Sequence, residues 1–282
     1  MPSDSFRTVT LPSGEAVPAL GQGTWYMGES AQARKQEADA LRLGMDLGMT
    51  LIDTAEMYAD GGAEEVVGDA IAGRRDEVFL VSKVLPSNAS ARGTIAACER
   101  SLKRMGTDRI DLYLLHWRGG VPFRETLEAF DRLIRDGKIR HWGVSNLDPA
   151  DMEELVDLPQ GRACATNQVL YNLSRRGIEY DLLPWCRQRN ITLMAYSPIE
   201  QGRILGNPAL KAVAARHGAT PAQVALAWLL RRDGLMVIPK AGSAEHVRQN
   251  RAALDLTLNE QDLAELDRAF PPPTRPRPLE ML

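Results

Sequence analysis

Short apolar runs alternate with longer amphipathic stretches along nearly the whole chain. The runs lie at 21–25 (GQGTW), 50–54 (TLIDT), 78–83 (VFLVSK), 110–116 (IDLYLLH), 140–145 (RHWGVS), 165–169 (ATNQV), 192–197 (TLMAYS) and 235–240 (LMVIPK), and their length and punctuation predict buried β-strands. Segments with helical patterning fall between and after them, at about 33–48, 63–72, 90–105, 123–136, 148–157, 177–190, 207–231 and 243–253. Leu41, Met45 and Leu47 illustrate the spacing in the first, and Leu127, Phe130, Leu133 and Ile134 in the fourth. Eight strands alternating with eight helices predict a parallel sheet, and eight such units close a (β/α)8 TIM barrel; a doubly wound open sheet is the alternative. Residues 6–20 alternate about Leu11-Pro-Ser-Gly14 and predict an N-terminal β-hairpin. Five prolines in the eight residues from Pro271 exclude a helix from the tail, 271–282. No low-complexity linker divides the chain, so one domain spanning 1–282 is expected.

The polar residues that stand out in this pattern end strands: Asp53, Lys83, His116, Ser145 with Asn146, Gln168, Ser197 and Lys240. A strand buried on both faces has no packing reason to end in Asp, Lys or His, and barrel active sites assemble at the C-terminal ends of strands. Each residue alone has a plain reading. Asp53 could be a loop acid or helix cap, Tyr58 a half-buried packing tyrosine, Lys83 a surface lysine and His116 a satisfied core histidine. Together Asp53, Lys83 and His116 end the second, third and fourth strands, which a barrel makes neighbours, and Tyr58 follows Asp53 by five residues.

The four residue types suit a proton-donating site. Phenol is a weak acid at neutral pH, and a nearby ammonium favours the phenolate. A carboxylate keeps the lysine charged and oriented, and an imidazole can direct a carbonyl oxygen.

Composition narrows the classes. Apolar residues make up 44% and charged residues 25%, ordinary globular usage, and a net charge of -3 offers no general attraction to nucleic acid or anionic lipid. No apolar run approaches the length of a spanning helix, and Met1–Thr10 has no hydrophobic signal core. Cys98, Cys164 and Cys186 are odd in number, widely spaced and without a Cys-x-x-Cys pair, as expected of thiols in a reducing cytoplasm. Four histidines with no His-x-His or His-x-x-x-His pair leave no expectation of a metal.

In this order and spacing, the motifs Gly21-Gln-Gly-Thr-Trp25, Leu51-Ile-Asp-Thr-Ala-Glu-Met-Tyr58, Val81-Ser-Lys83, Asp111-Leu-Tyr-Leu-Leu-His-Trp117, Gly137-Lys-Ile-Arg-His-Trp-Gly-Val-Ser-Asn146, Asn167-Gln168 and Ile238-Pro-Lys240 resemble those of the aldo-keto reductases. The resemblance runs from Gly21 to about Leu266 and is nearest to bacterial reductases of methylglyoxal and other small aldehydes. It implies NAD(P)H-dependent reduction of a small carbonyl by direct hydride transfer. It also implies a catalytic tetrad in which Tyr58 donates the proton, Lys83 lowers its pKa, Asp53 anchors Lys83 and His116 orients the carbonyl.

The resemblance further implies a cofactor site. Gly23, Thr24, Trp25 and Asp53 would lie near the nicotinamide, Ser145, Asn146 and Gln168 would bond its carboxamide, and Tyr196 would stack on the ring. Ser197, Pro198, Ile199, Gln201 and Arg203 would border the pyrophosphate. Ile238, Pro239, Lys240, Ala241, Ser243, His246, Gln249 and Asn250 would receive the adenosine end. Gly21-x-Gly23 lacks the third glycine of a dinucleotide-binding fingerprint, since Tyr26 stands there. Lys240 favours NADPH. His246, where the family often has arginine, and Gln249, where it often has glutamate, keep NADH as the alternative.

Trp25, Tyr26, Met57 and Trp117 are expected to wall the substrate pocket. The loop after Trp117 and the proline-rich tail are both short, so the pocket is expected to be open and broad in specificity. The partners expected are a small carbonyl compound alone, with no nucleic acid or membrane, and the protein is expected to be a cytoplasmic monomer. Two other readings remain. One is a Schiff-base aldolase with Lys83 as nucleophile, which an adjacent Asp53 opposes. The other is a cofactor-binding regulatory subunit without turnover.

Overall fold

The structure, a computed structural model, describes residues 6–282. The first five residues, part of the Met1–Thr10 segment considered above, lie outside the described residues. The predicted hairpin is present, with β1 (Thr8–Thr10) and β2 (Ala16–Pro18) pairing antiparallel. Eight parallel strands follow in sequential spatial order: β3 (Gln22–Gly23), β4 (Leu51–Asp53), β5 (Phe79–Val84), β6 (Ile110–Leu115), β7 (Ile139–Ser145), β8 (Thr166–Leu170), β9 (Thr192–Tyr196) and β10 (Leu235–Val237).

Parallel bridges Leu20↔Val237 and Gly23↔Lys240 join the first strand region to the last, so the sheet closes and the open doubly wound alternative fails. The seam explains Gly23: a Cβ there would meet the Ile238 carbonyl oxygen at 2.8 Å. The strand residues are buried almost throughout, as expected of a parallel sheet covered by helices.

The surrounding helices are α1 (Arg34–Asp46), α2 (Gly62–Ile71), α3 (Ala91–Met105), α4 (Phe123–Arg135), α5 (Pro149–Asp157), α6 (Leu182–Gln188), α7 (Pro208–Arg216), α8 (Pro221–Leu230), α9 (Ala244–Ala252) and α10 (Glu260–Ala269). In α4 the predicted face holds for Leu127, Phe130 and Leu133, while Ile134 turns outward.

Three helical expectations need correction. The segment 207–231 is two helices: α7 stops before Gly218 at positive φ, and Thr220 and Gln223 form a capping box that starts α8 at Pro221. The segment 177–190 divides likewise. It holds a 3-10 turn at Gly177–Glu179 and then α6, whose Asp181 side chain caps Leu182 N and whose Pro184 falls in the first turn, where no N–H is needed. Helix α10 is additional to the expected eight, although Asn259 and Asp262 make a capping box at its start.

Irregular backbone gathers at one end of the barrel. Eight of the described non-glycine residues have positive φ, and seven of them, Tyr26, Ala59, Asp60, Asn146, Ser197, Glu200 and Gln201, lie in loops after the C-terminal ends of strands. Such backbone persists only where its surroundings hold it, and it concentrates at functional sites.

Candidate active site

Strands β4, β5 and β6 carry Asp53, Lys83 and His116 to this end of the barrel, and Tyr58 stands on the turn that follows β4. Lys83 is completely buried, and its Nζ donates to Asp53 Oδ2 at 2.8 Å, to the Thr54 carbonyl at 2.8 Å and to Tyr58 Oη at 3.2 Å. Three acceptors match the three N–H bonds of an ammonium. Asp53 Oδ1 accepts from Gln168 Nε2 at 2.7 Å, so both carboxylate oxygens have donors. The His116 and Tyr58 rings meet edge to face with centroids 5.9 Å apart, and Trp25 lies 5.2 Å from Tyr58 on another side.

Burial governs the protonation states. It raises the Asp53 carboxyl and lowers the Lys83 ammonium from their ordinary values, and each charge opposes the other's shift. His116 is pushed down to about 2 by burial, with the Lys83 charge adding to it, so the imidazole is neutral. Tyr58 departs from the sequence expectation. Its phenol is raised well above 10, by burial first and then by the charge of Asp53. Lys83 is engaged with Asp53 and the Thr54 carbonyl, so it does not ionise the phenol in the free site. The phenol keeps its proton, the form an acid needs.

A cavity of about 630 Å³ opens beside these groups. Of the residues singled out in the sequence, Gly23, Thr24, Trp25, Tyr26, Asp53, Met57, Tyr58, His116, Trp117, Ser145, Asn146, Gln168, Tyr196, Ser197, Pro198, Ile199, Gln201, Ile238 and Lys240 line it. Lys83 does not; it sits behind Tyr58. Asn146 Nδ2 donates to the His116 carbonyl at 3.2 Å and to Ser145 Oγ at 3.1 Å, and its Oδ1 accepts from Tyr196 Oη at 2.9 Å.

The adenosine-end candidates are placed less directly. Pro239, Ala241, Ser243, His246, Gln249 and Asn250 are not in the cavity wall. The Pro239 carbonyl accepts from Gly23 N at the barrel seam, Ser243 caps His246 N at 3.4 Å, Gln249 bonds Glu245 at 3.1 Å, His246 is exposed and Asn250 is buried. Arg203 is held by Glu200 at 2.9 Å and Gln201 at 2.9 Å rather than aimed into the cavity.

Sequence reasoning missed several participants. Thr54 contributes only its carbonyl, which no side-chain pattern reveals. Buried Glu200 binds Asn172 at 2.8 Å and Arg175 at 3.0 Å and so fixes the loop after β9. The tail also does more than its length suggested. Glu280 pairs with Arg175 at 2.5 Å, and Met281 and Leu282, both exposed, line the cavity.

The sequence profile of the Aldo/keto reductase family matches residues 19–270. The chain belongs to the aldo/keto reductase family. Among relatives, it is 57% identical to a methylglyoxal reductase of Escherichia coli over 281 residues, covering 98% of this chain and 99% of that one. It is 33% identical to a glyoxal reductase of Bacillus subtilis, covering 95% and 94%. An aldo/keto reductase from Klebsiella pneumoniae, solved in complex with NADP and acetate, superposes with a TM-score of 0.96 at 55% identity, covering 99% of this chain and 100% of that one. The closed barrel and the hairpin are thus those of an aldo/keto reductase.

Fit to a nicotinamide can be tested on the cavity itself. A carboxamide needs an acceptor for its N–H bonds and a donor for its carbonyl. Ser145 Oγ already accepts from Asn146, which leaves its O–H to donate, and Gln168 Oε1 takes no hydrogen bond from the described residues. Tyr196 supplies an aromatic face in the same wall. The donor set fits.

Proposed function

We propose that this protein reduces methylglyoxal and similar small carbonyl compounds to alcohols with NADPH. The observation that carries the reading is the hydrogen-bonded chain Gln168–Asp53–Lys83–Tyr58, which ends in a protonated phenol on the cavity wall. The 57% identical methylglyoxal reductase supports the substrate class, and aldo/keto reductase structures from Klebsiella pneumoniae, one with NADP and one with NADPH, support the cofactor. When bound, the reduced nicotinamide supplies the hydride.

The residues of this chain do the rest. Tyr58 Oη gives its proton to the carbonyl oxygen. Lys83 meets the resulting phenolate with a positive charge, and Asp53 holds that charge in place. Neutral His116 directs the carbonyl toward Tyr58. Its Nδ1 is buried without a partner, so the ring is held by its aromatic neighbours rather than by a second hydrogen bond. Ser145 and Gln168 bind the carboxamide, and Lys240 favours the phosphorylated cofactor. Trp25, Tyr26, Met57 and Trp117 wall the substrate side. A Schiff-base role for Lys83 is disfavoured because it stands behind Tyr58 with all three protons engaged.

The chain acts on this reading as one barrel unit, a monomer in the cytoplasm with no nucleic acid partner. The supports are a net charge of -3 and three cysteines buried as free thiols. Among the described residues no helix is long and apolar enough to cross a membrane. The test is consumption of NADPH and NADH with methylglyoxal, a panel of small aldehydes and several sugars. Rapid NADPH oxidation with methylglyoxal is expected. Purified protein that oxidises neither cofactor with any of them would overturn the reading.

A further inference from the structure

Gln168 faces two ways. It is the middle residue of β8, is 1% exposed and lines the cavity, yet its Nε2 lies 2.7 Å from Asp53 Oδ1. The other oxygen of Asp53 takes the Lys83 ammonium at 2.8 Å. A carboxylate only accepts hydrogen bonds, so Asp53 decides which end of the amide faces it. The –NH2 group is turned inward to Asp53 and to Met194 Sδ, 2.8 Å away, and Oε1 is the end left for the cavity. Asn146 is placed differently, since both ends of its amide are engaged with His116, Ser145 and Tyr196. One side chain therefore touches the catalytic carboxylate and supplies the free amide acceptor in the cavity wall.

We propose that Gln168 is a positioning residue that couples the cofactor to the proton donor. Asp53 holds its –NH2 so that only an acceptor meets the nicotinamide carboxamide. The same hydrogen bond keeps Asp53 in register for Lys83 and, through Lys83, for Tyr58. The inference rests on the NADPH reading above for its cofactor half and on the Gln168–Asp53 contact alone for the other half.

The substitution Gln168→Glu separates the two. While protonated, the introduced carboxyl reproduces a donor toward Asp53 and an acceptor toward the cavity. Once ionised, it sets two carboxylates within hydrogen-bonding distance, so the proton is retained well above the ordinary Glu value of about 4.3. Binding of NADPH, read by fluorescence titration without substrate, should be within about threefold of wild type near pH 5.5. It should be weaker than wild type by about tenfold or more near pH 8.5, where like charges leave the site mis-set. A Q168E-to-wild-type affinity ratio that stays flat across this range overturns the proposal.

Stability without cofactor reads the Asp53 half independently. The folded-state pKa of the introduced carboxyl is raised, so the thermal midpoint of Q168E relative to wild type should fall as pH rises from about 4.3 toward that raised value. No relative fall means that Asp53 does not govern the position. A wild-type protein that fails to bind NADPH sinks the proposed function, while this stability arm still decides the contact.

If Q168E does not fold, Gln168→Met decides, since a thioether cannot donate and accepts only weakly. Its single-turnover reduction rate at saturating NADPH should drop about tenfold or more, beyond any loss of affinity, as a misplaced catalytic group does. An unchanged rate at saturation would make Gln168 a cofactor contact only.

Discussion

Two buried carboxylates at opposite ends of the barrel are built alike and left in different states. Asp111, near the N-terminal end of β6, accepts from Arg75 at 2.7 Å, from Leu80 N at 2.8 Å and from Arg140 at 3.0 Å. Its cations reach outward, since the Arg75 and Arg140 side chains are 15% and 46% exposed and Arg140 continues to Glu15 of the hairpin. Asp53 also has donors on both oxygens, but its cation is wholly buried and reaches past it to a phenol on a cavity wall. Near Asp53, Thr54 Oγ1 and His116 Nδ1 are buried without partners, and seven of the eight described non-glycine residues with positive φ lie in the loops at the same end. A carboxylate satisfied entirely by protein and solvent-reaching cations is a structural tie. One that leaves unpartnered atoms and strained backbone around a cavity is a site.

The comparison breaks most visibly at Tyr58. Tyr58→Phe removes only the hydroxyl, so kcat for aldehyde reduction should fall by about 10²- to 10⁴-fold, the span general acids commonly supply. The dissociation constant for NADPH should move by less than about twofold. Turnover near the wild-type rate would show that the proton comes from elsewhere.

Removing one partner from each pair sharpens the contrast. Lys83→Met leaves Asp53 buried without its cation, and unfolding free energy should drop by about 3–5 kcal/mol along with a loss of activity. Asp111→Ala frees cations that already touch solvent, so about 1–3 kcal/mol is expected, with kcat per folded molecule unchanged. Denaturant unfolding and active-site-normalised rates read both variants. Equal stability losses, or a kcat defect in Asp111→Ala, would erase the distinction.

The same contrast explains what is legible in the sequence. The barrel can be read because each strand is an apolar run with turn residues at both ends, and the tetrad because Asp53, Lys83 and His116 interrupt such runs where packing alone would not put a charge. Boundaries set by capping are harder. The break at His217–Ala219 depends on Thr220 and Gln223 bonding each other's backbone, which interrupts no apolar periodicity. The Tyr58 acidity escapes a sequence reading because a neighbouring ammonium is visible there while the depth of burial that outweighs it is not. The tail's approach to the cavity depends on the pair Arg175–Glu280, 105 positions apart, and no local pattern announces it.

A smaller effect is expected at Lys240, which lines the cavity and lies so close to the loop before α9 that a Cβ on Gly242 would stand 3.2 Å from its Nζ. Lys240→Ala should raise the KM for NADPH by about ten- to a hundredfold, the worth of a charge-assisted hydrogen bond, and that for NADH by less than about twofold. Steady-state kinetics with both cofactors decide it. Equal effects on the two would detach Lys240 from the adenosine phosphate.

The smallest effect separates the two ends through their histidines. His141, at the hairpin end, has Glu15 2.7 Å from its Nε2, whereas His116 has a buried Nδ1 with no partner and is pushed down to about 2. In the unfolded chain His116 titrates near 6.5. Between these values the unfolded state holds a proton that the folded state lacks, so acid favours unfolding. The stability contributed by neutral His116 is complete above about pH 6.5 and is lost as pH falls toward 2, at about 1.4 kcal/mol per unit. His116→Gln carries no such proton. The gap between wild type and His116→Gln in urea unfolding should therefore shift against wild type by that amount for each unit below about pH 6.5, while carboxylates common to both proteins cancel. Parallel curves for the two proteins from neutral to mildly acidic pH would mean that His116 takes up a proton while folded, which would remove the neutral imidazole from the proposed site.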